Sequence, residues 1–152
     1  RVVLGGDQVH GDEVAVVQQT TSHAPETVNG IFSGEDVLKF QELVRRVPIA
    51  ENVIRYAVQL TASSRPKAPN AHDFVKNWIN WGAGTRAAQA LVLGAKARVL
   101  WRGATHVTGD DIRALAAPVF RHRILLNYRA EADGVSVEQV IDKLIEAMPK
   151  GI

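Results

Sequence analysis

Residues 85–100 are dominated by alanine, leucine and valine around one glycine, with Gly82 and Gly84 just before them and Gly103 just after. A helix apolar around most of its circumference is expected to be buried on most of it. This segment therefore predicts the central helix of a fold whose other elements wrap around it. The most apolar part, residues 87–97, is interrupted by Gln89 and Lys96 and falls far short of the roughly 20 residues that span a bilayer. It is a core element, not a membrane span. A chain of 152 residues suits one domain and can bury about two-thirds of the surface its unfolded form exposes. With no cysteine in the chain, that core must hold without disulfides or cysteine-ligated metals. The 18 basic and 16 acidic residues leave a net charge of +2, with no run of five like charges, so a polyanionic partner is permitted and not demanded.

Around the central helix the sequence predicts further helices of unequal strength and no convincing sheet. Residues 7–21 suggest a weak helix with Val14 and Val17 on one face, after an extended start at Val2, Val3 and Leu4. Residues 22–34, with Pro25, Asn29, Gly30 and Gly34, read as a linker. Ser33 with Asp36 is a helix start, followed by Val37, Phe40, Val44 and Val47 at helical spacing. Pro48 ends that helix. A second follows through Ile49, Val53, Ala57 and Leu60 to about Ser63, before Pro66. Residues 72–81 read as a short helix through Phe74, Val75, Trp78 and Ile79, and residues 105–107 as a short extended stretch. Thr108, with Asp110 and Asp111, caps a helix whose stripe of Ile112, Leu115, Ala116 and Val119 is crossed by Pro118. Residues 121–127 fit helix or strand, and Ser136 with Gln139 opens the last helix, through Val140, Ile141, Leu144, Ile145 and Met148. The fold class is all-α, a small helical bundle, with residues 1–32 as an extended segment and linker and residues 33–150 as the folded unit.

Few residues offer chemistry. The phosphate-loop pattern G-x-x-x-x-G-K-[ST] is absent, as is a G-x-S-x-G elbow. His10, His23, His72, His106 and His122 never fall at metal-ligand spacing, so no metal site is expected. The carboxylate pairs Asp12 with Glu13, Glu35 with Asp36 and Asp110 with Asp111 fall at expected helix starts, where acids complement the macrodipole. The basic group Arg113, Arg121, His122, Arg123 and Arg129 lacks interleaved aromatics and is followed by Glu131 and Asp133, so a nucleic-acid role is not favoured. Trp78, Trp81 and Trp101 read as core or interface anchors. Arg86 stands apart. It lies in the first turn of the apolar helix, where the positive end of the macrodipole disfavours a cation by up to about 1 kcal/mol. An arginine there suggests a nearby anion, which a helix N-terminus is itself suited to bind. The alternative is a side chain that snorkels to solvent or pairs with a neighbouring carboxylate.

The segment VKNWINWGAGTRAAQALVLGAKARVLWRGATHVTGDDIRALAAPVFRHRILLNY, residues 75–128, resembles the C-terminal lid of MoxR-type ATPases of the AAA+ class. That family runs tryptophan-glycine-alanine, a small residue, proline-arginine-alanine and an Ala/Leu-rich helix. A valine-threonine-acid-acid-isoleucine-arginine cap and a proline-valine-leucine-arginine-histidine-arginine-isoleucine stretch follow. Residues 81–87, 107–113 and 118–124 are similar to these in order. LKFQELVRRVPIAENVIRYAVQL resembles the first lid helices, and RVVLG resembles the last strand of the family's ATPase core, although Gly6 and Asp7 stand where the family has tyrosine-proline.

By this resemblance Arg86 falls on the sensor 2 arginine, which reaches the γ-phosphate of ATP, with Gly84 and Thr85 beside it in the nucleotide-facing turn. Thr85 replaces the usual proline and is expected to cap in its stead. The physical oddity of Arg86 and the family role agree. The resemblance further implies ATP and Mg2+ in the intact protein, a hexameric ring, chaperone-like remodelling, and partners with a von Willebrand factor A domain. The core motifs would precede Arg1, and a chain opening without methionine is expected to be a fragment, inactive alone. With neither cysteine nor an export signal, a soluble cytoplasmic location is expected. A free-standing helical module binding protein or nucleic acid is the competing reading.

Overall fold

The computed structural model describes residues 6–22 and 30–149. The extended start expected at Val2 to Leu4 and most of the expected linker lie outside the described residues. The chain divides into two compact units, Arg1–Asp36 and Val37–Ile152. In the first, α1 (Gly6–Ser22) is the helix expected there, with Val14 and Val17 exposed. Asp12 and Glu13 sit inside it, exposed, and not at a helix start as expected. At the end of this unit the Asp36 N–H donates to Ser33 Oγ at 3.1 Å, while Asp36 Oδ2 accepts from the Ser33 N–H at 3.0 Å. These reciprocal bonds satisfy donors that a helix start leaves open, and α2 (Gly34–Arg46) begins there.

The second unit holds the bundle. No residue of α2 is buried, and Val37, Leu38 and Leu43 stay exposed, so the expected apolar stripe reaches the core only at Val47, beyond the helix end. Pro48 turns the chain into α3 (Glu51–Ser63), whose Val53, Tyr56, Ala57, Leu60 and Thr61 are buried. The helix expected over residues 72–81 is shorter. It is α4 (Asp73–Trp78), followed by β1 (Ile79–Trp81). This strand pairs antiparallel with β2 (Leu125–Leu126), Ile79 facing Leu126 and Trp81 facing Leu125, so three residues oppose two and Asn80 is the bulge. The all-α bundle thus carries one two-stranded ribbon that periodicity did not show.

The central helix is α5 (Thr85–Trp101). Ala87, Ala88, Leu91, Ala95 and Val99 are buried, but Leu93 and Leu100 are exposed and Trp101 is 92% exposed. The expectation of burial on most of its circumference is corrected. Its neighbours α3, α6 (Gly109–Ala114) and α7 (Ala116–Phe120) pack on one side only. Gly103, at φ 65°, ends the helix in the left-handed region open to glycine. Residues 105–106 form a bend, so the extended stretch expected over residues 105–107 does not form.

Where one helix was expected across Pro118, the chain breaks at Leu115 into α6 and α7. Proline has no N–H and its ring clashes with the carbonyl four residues back. Restarting the helix puts Pro118 in a first turn, where neither matters. Past Phe120 the chain turns into β2, which settles the ambiguity of residues 121–127. Asn127 then caps α8 (Tyr128–Ala132), a helix the sequence did not signal, accepting the N–H groups of Arg129 and Ala130. Ser136 and Gln139 form the expected capping box of α9 (Val137–Glu146), which buries Val140, Ile141 and Leu144.

One carboxylate ties α5 to α6. Asp111, 2% exposed, accepts from the Thr108 N–H and hydroxyl at 3.1 and 2.9 Å. It also accepts from Arg98 at 3.2 Å and Arg102 at 3.1 Å, at the C-terminal end of α5. Burial pushes its carboxyl up, but the Thr108 hydrogen bonds and the Arg102 and Arg98 charges outweigh that and hold it below the ordinary 3.8. A depressed carboxyl contributes its stability in full above the ordinary carboxylate range and loses it as pH falls through the depressed value. We expect Asp111→Asn to cost about 1–2 kcal/mol at pH 7, both guanidinium groups staying half solvated. Urea unfolding should show that difference shrinking as pH drops below about 4.

Candidate functional site

The start of α5 is fixed by the end of α3. Ser64, fully buried just past α3, donates its hydroxyl to the Thr61 carbonyl at 2.7 Å and accepts the Ala83 N–H at 2.9 Å. Arg65 Nε donates to the Ala83 carbonyl at 3.0 Å. Both backbone groups of Ala83 are thereby held. Gly82 lies so close that a Cβ there would stand 2.3 Å from the Ser64 carbonyl oxygen. The Trp-Gly-Ala run is thus a close-packed backbone turn against α3.

Gly84 is the N-cap of α5, in extended conformation, and no side chain caps the helix. Thr85 is the first helical residue and does not cap, contrary to expectation. The turn survives on the backbone bond from the Ala87 N–H to the Gly84 carbonyl, 2.9 Å, and the earlier N–H groups are left for another acceptor. Arg86 follows, exposed, with no hydrogen bond or ion pair to any described residue. Two grooves flank this start. One, about 280 Å³, is lined by Arg65, Lys67, Trp81 and Gly84; the other, about 530 Å³, by Arg45, Ile54, Val58, Thr85, Gln89 and Val92.

The other arginines singled out by sequence are engaged within the bundle. Arg113 pairs with Asp110 at 2.7 Å, donates to the buried Tyr56 hydroxyl at 3.1 Å and lies over its ring. The Asp110 and Tyr56 bonds push the Arg113 guanidinium up from its ordinary value. Arg121 pairs with Glu138 at 2.8 Å, and Arg123 donates to the Val119 carbonyl at 2.6 Å and touches His122. The Arg129 guanidinium is pushed up by its bond with Tyr128. Arg113 and Arg121 are thus paired with carboxylates, whereas Arg123 and Arg129 bond neutral groups.

Of the carboxylate pairs, Asp36 is held low by the Ser33 hydroxyl and N–H, a capping role, as Asp111 has in α6. Among the described residues no three His, Asp or Glu side chains gather as a metal site, and no helix is long and apolar enough to cross a membrane. Trp78 is anchored by its Nε1 to Asp133 at 2.9 Å, whereas Trp81, 68% exposed, and Trp101 face outward. Sequence reasoning singled out Arg86 as a candidate but did not reach Ser64, Arg65 or the packing role of Gly82. Contacts 18 and 19 residues apart leave no periodic trace.

The AAA lid domain family matches residues 74–144, from α4 to the end of the α9 face. The chain carries the C-terminal lid region of a MoxR-type AAA+ ATPase. The chain is 29% identical over 124 residues to Chaperone MoxR1 of Mycobacterium tuberculosis, covering 82% of this chain and 33% of that protein. It is 26% identical over 130 residues to the uncharacterised YeaC of Bacillus subtilis, covering 86% and 38%. A crystal structure of a candidate ATPase from Cytophaga hutchinsonii superposes with a TM-score of 0.75 at 29% identity, over 98% of this chain and 44% of that one. The chain thus spans about a third of the length of these curated relatives.

The packing of the lid's Trp-Gly-Ala-Gly turn is directly testable by calorimetry. Gly82→Ala drives a methyl into the α3 backbone and should lower stability by about 1–3 kcal/mol. Gly84→Ala, with nothing within 4 Å of the added Cβ, should stay within about 0.5 kcal/mol.

Proposed function

We propose that this lid works as the sensor 2 portion of a MoxR-like AAA+ ATPase that uses ATP to remodel or mature partner proteins. Residues 1–32 would be the end of the ATPase core and its linker, and residues 33–150 the lid. The observation that carries the reading is Arg86, an unpartnered guanidinium among the described residues, at an uncapped helix N-terminus that electrostatics would rather leave without a cation. An anion docking there gains from the open N–H groups and from Arg86 together. The similarity to Chaperone MoxR1 supports the class of job.

The chain's 152 residues contain no phosphate-loop motif, and no acidic cluster among the described residues fits Mg2+. ATP and Mg2+ would be held chiefly by the ATPase core, and the lid alone should not turn over ATP. Closure of the lid would bring Arg86 onto the γ-phosphate. A positioned guanidinium offsets charge that develops as the phosphoryl group transfers. Gly84 contributes an open backbone at the helix start, and Thr85 a hydroxyl beside it. Opening and closing would pass to neighbouring subunits of a hexameric ring, with von Willebrand factor A domain proteins as partners and the cytoplasm as the working compartment.

Steady-state ATP turnover of the full-length protein tests this. Arg86→Ala should lower kcat by about 10²-fold, and Arg86→Lys should restore only part, since lysine lacks the bidentate fork. Unchanged turnover with unchanged ATP affinity would remove Arg86 from the site.

A further inference from the structure

We propose that Ser64 and Arg65 are positioning residues for Arg86, setting where its guanidinium stands when the lid closes. The inference rests on the sensor 2 reading above and adds to it the device that aims the arginine. Ala83, 1% exposed, is the last residue before the N-cap of α5. Its N–H is taken by Ser64 Oγ and its carbonyl by Arg65 Nε, at 2.9 and 3.0 Å. Because the Ser64 hydroxyl proton is already committed to the Thr61 carbonyl at 2.7 Å, its lone pair has a fixed direction for the Ala83 N–H. Gly82 rests against the Ser64 carbonyl. Two successive residues are therefore pinned immediately before the helix that presents Arg86.

Apolar packing alone would hold the start of α5 loosely. Its first buried residues are Ala87 and Ala88, and small smooth side chains tolerate a slide that directional hydrogen bonds do not. Arg86 itself has no described partner to hold it, so its position is inherited from the backbone beneath it. A displacement of about 1 Å at a reacting centre can cost as much as 10²-fold in rate. Neither pinning residue lies in the matched segment 74–144. They come from the end of α3 and make the earlier helices part of the catalytic geometry.

The test is a double-mutant cycle on ATP turnover in the full-length protein, with thermal unfolding of each variant alongside. Arg65→Ala, at an exposed position, should fold and lower kcat about tenfold with KM for ATP changed less than about twofold. Ser64→Ala should act in the same direction. Added to Arg86→Ala, neither should lower kcat further, because a residue acting only through Arg86 has nothing left to position. If Arg65→Ala leaves kcat unchanged while Arg86→Ala lowers it, the positioning role is wrong and the sensor 2 reading stands. If the Arg65→Ala loss is equally large without Arg86, the residue acts by another route and the inference fails. If Arg86→Ala has no effect, the sensor 2 reading fails and the positioning role falls with it.

Discussion

The buried Ser64 hydroxyl joins the Thr61 carbonyl to the Ala83 N–H, so the end of α3 and the start of α5 share one chain of hydrogen bonds. Left unmatched, a buried amide of this kind costs about 1–3 kcal/mol. At the other end of the same helix, the buried Asp111 binds Arg98 and Arg102 while capping α6. The central helix is thus clamped at both ends by polar groups, and its alanine-rich stripe fills the space between. A helix held in this way moves with its bundle and does not slide within it. That rigidity is what a lid needs if a movement of the whole is to become a displacement of one side chain.

Much of this was legible in the sequence where the signal is local. The Ser33, Thr108 and Ser136 starts follow from side chains that bond backbone groups three residues away, and all three form as expected. Signals that depend on distant partners were not legible. Ile79 to Trp81 looked helical because its apolar spacing continues that of Phe74 and Val75, yet it pairs with Leu125 and Leu126 across the bundle. Composition made α5 look buried on most of its circumference. Its exposed Leu93, Leu100 and Trp101 show that apolar content sets how much can be buried, while the number of packing neighbours sets how much is.

The candidate site divides along the same line. Arg86 was visible because a cation in a first helical turn conflicts with local electrostatics, and local conflicts of that kind concentrate at functional positions. The residues that hold the turn beneath it were invisible. Gly82 reads in sequence as part of a tight turn, but its lack of a side chain serves contact with the Ser64 carbonyl. Of the basic residues that raised a nucleic-acid reading, Arg113 and Arg121 are paired with Asp110 and Glu138.

The central claim is that the lid delivers Arg86 to a nucleotide phosphate. The most direct measurement is a structure of the full-length protein bound to Mg2+ and a non-hydrolysable ATP analogue. The account predicts the Arg86 guanidinium about 3 Å from a γ-phosphate oxygen, with the Ser64 and Arg65 bonds to Ala83 intact. Arg86 standing more than about 6 Å away, with another side chain on the phosphate, would contradict it.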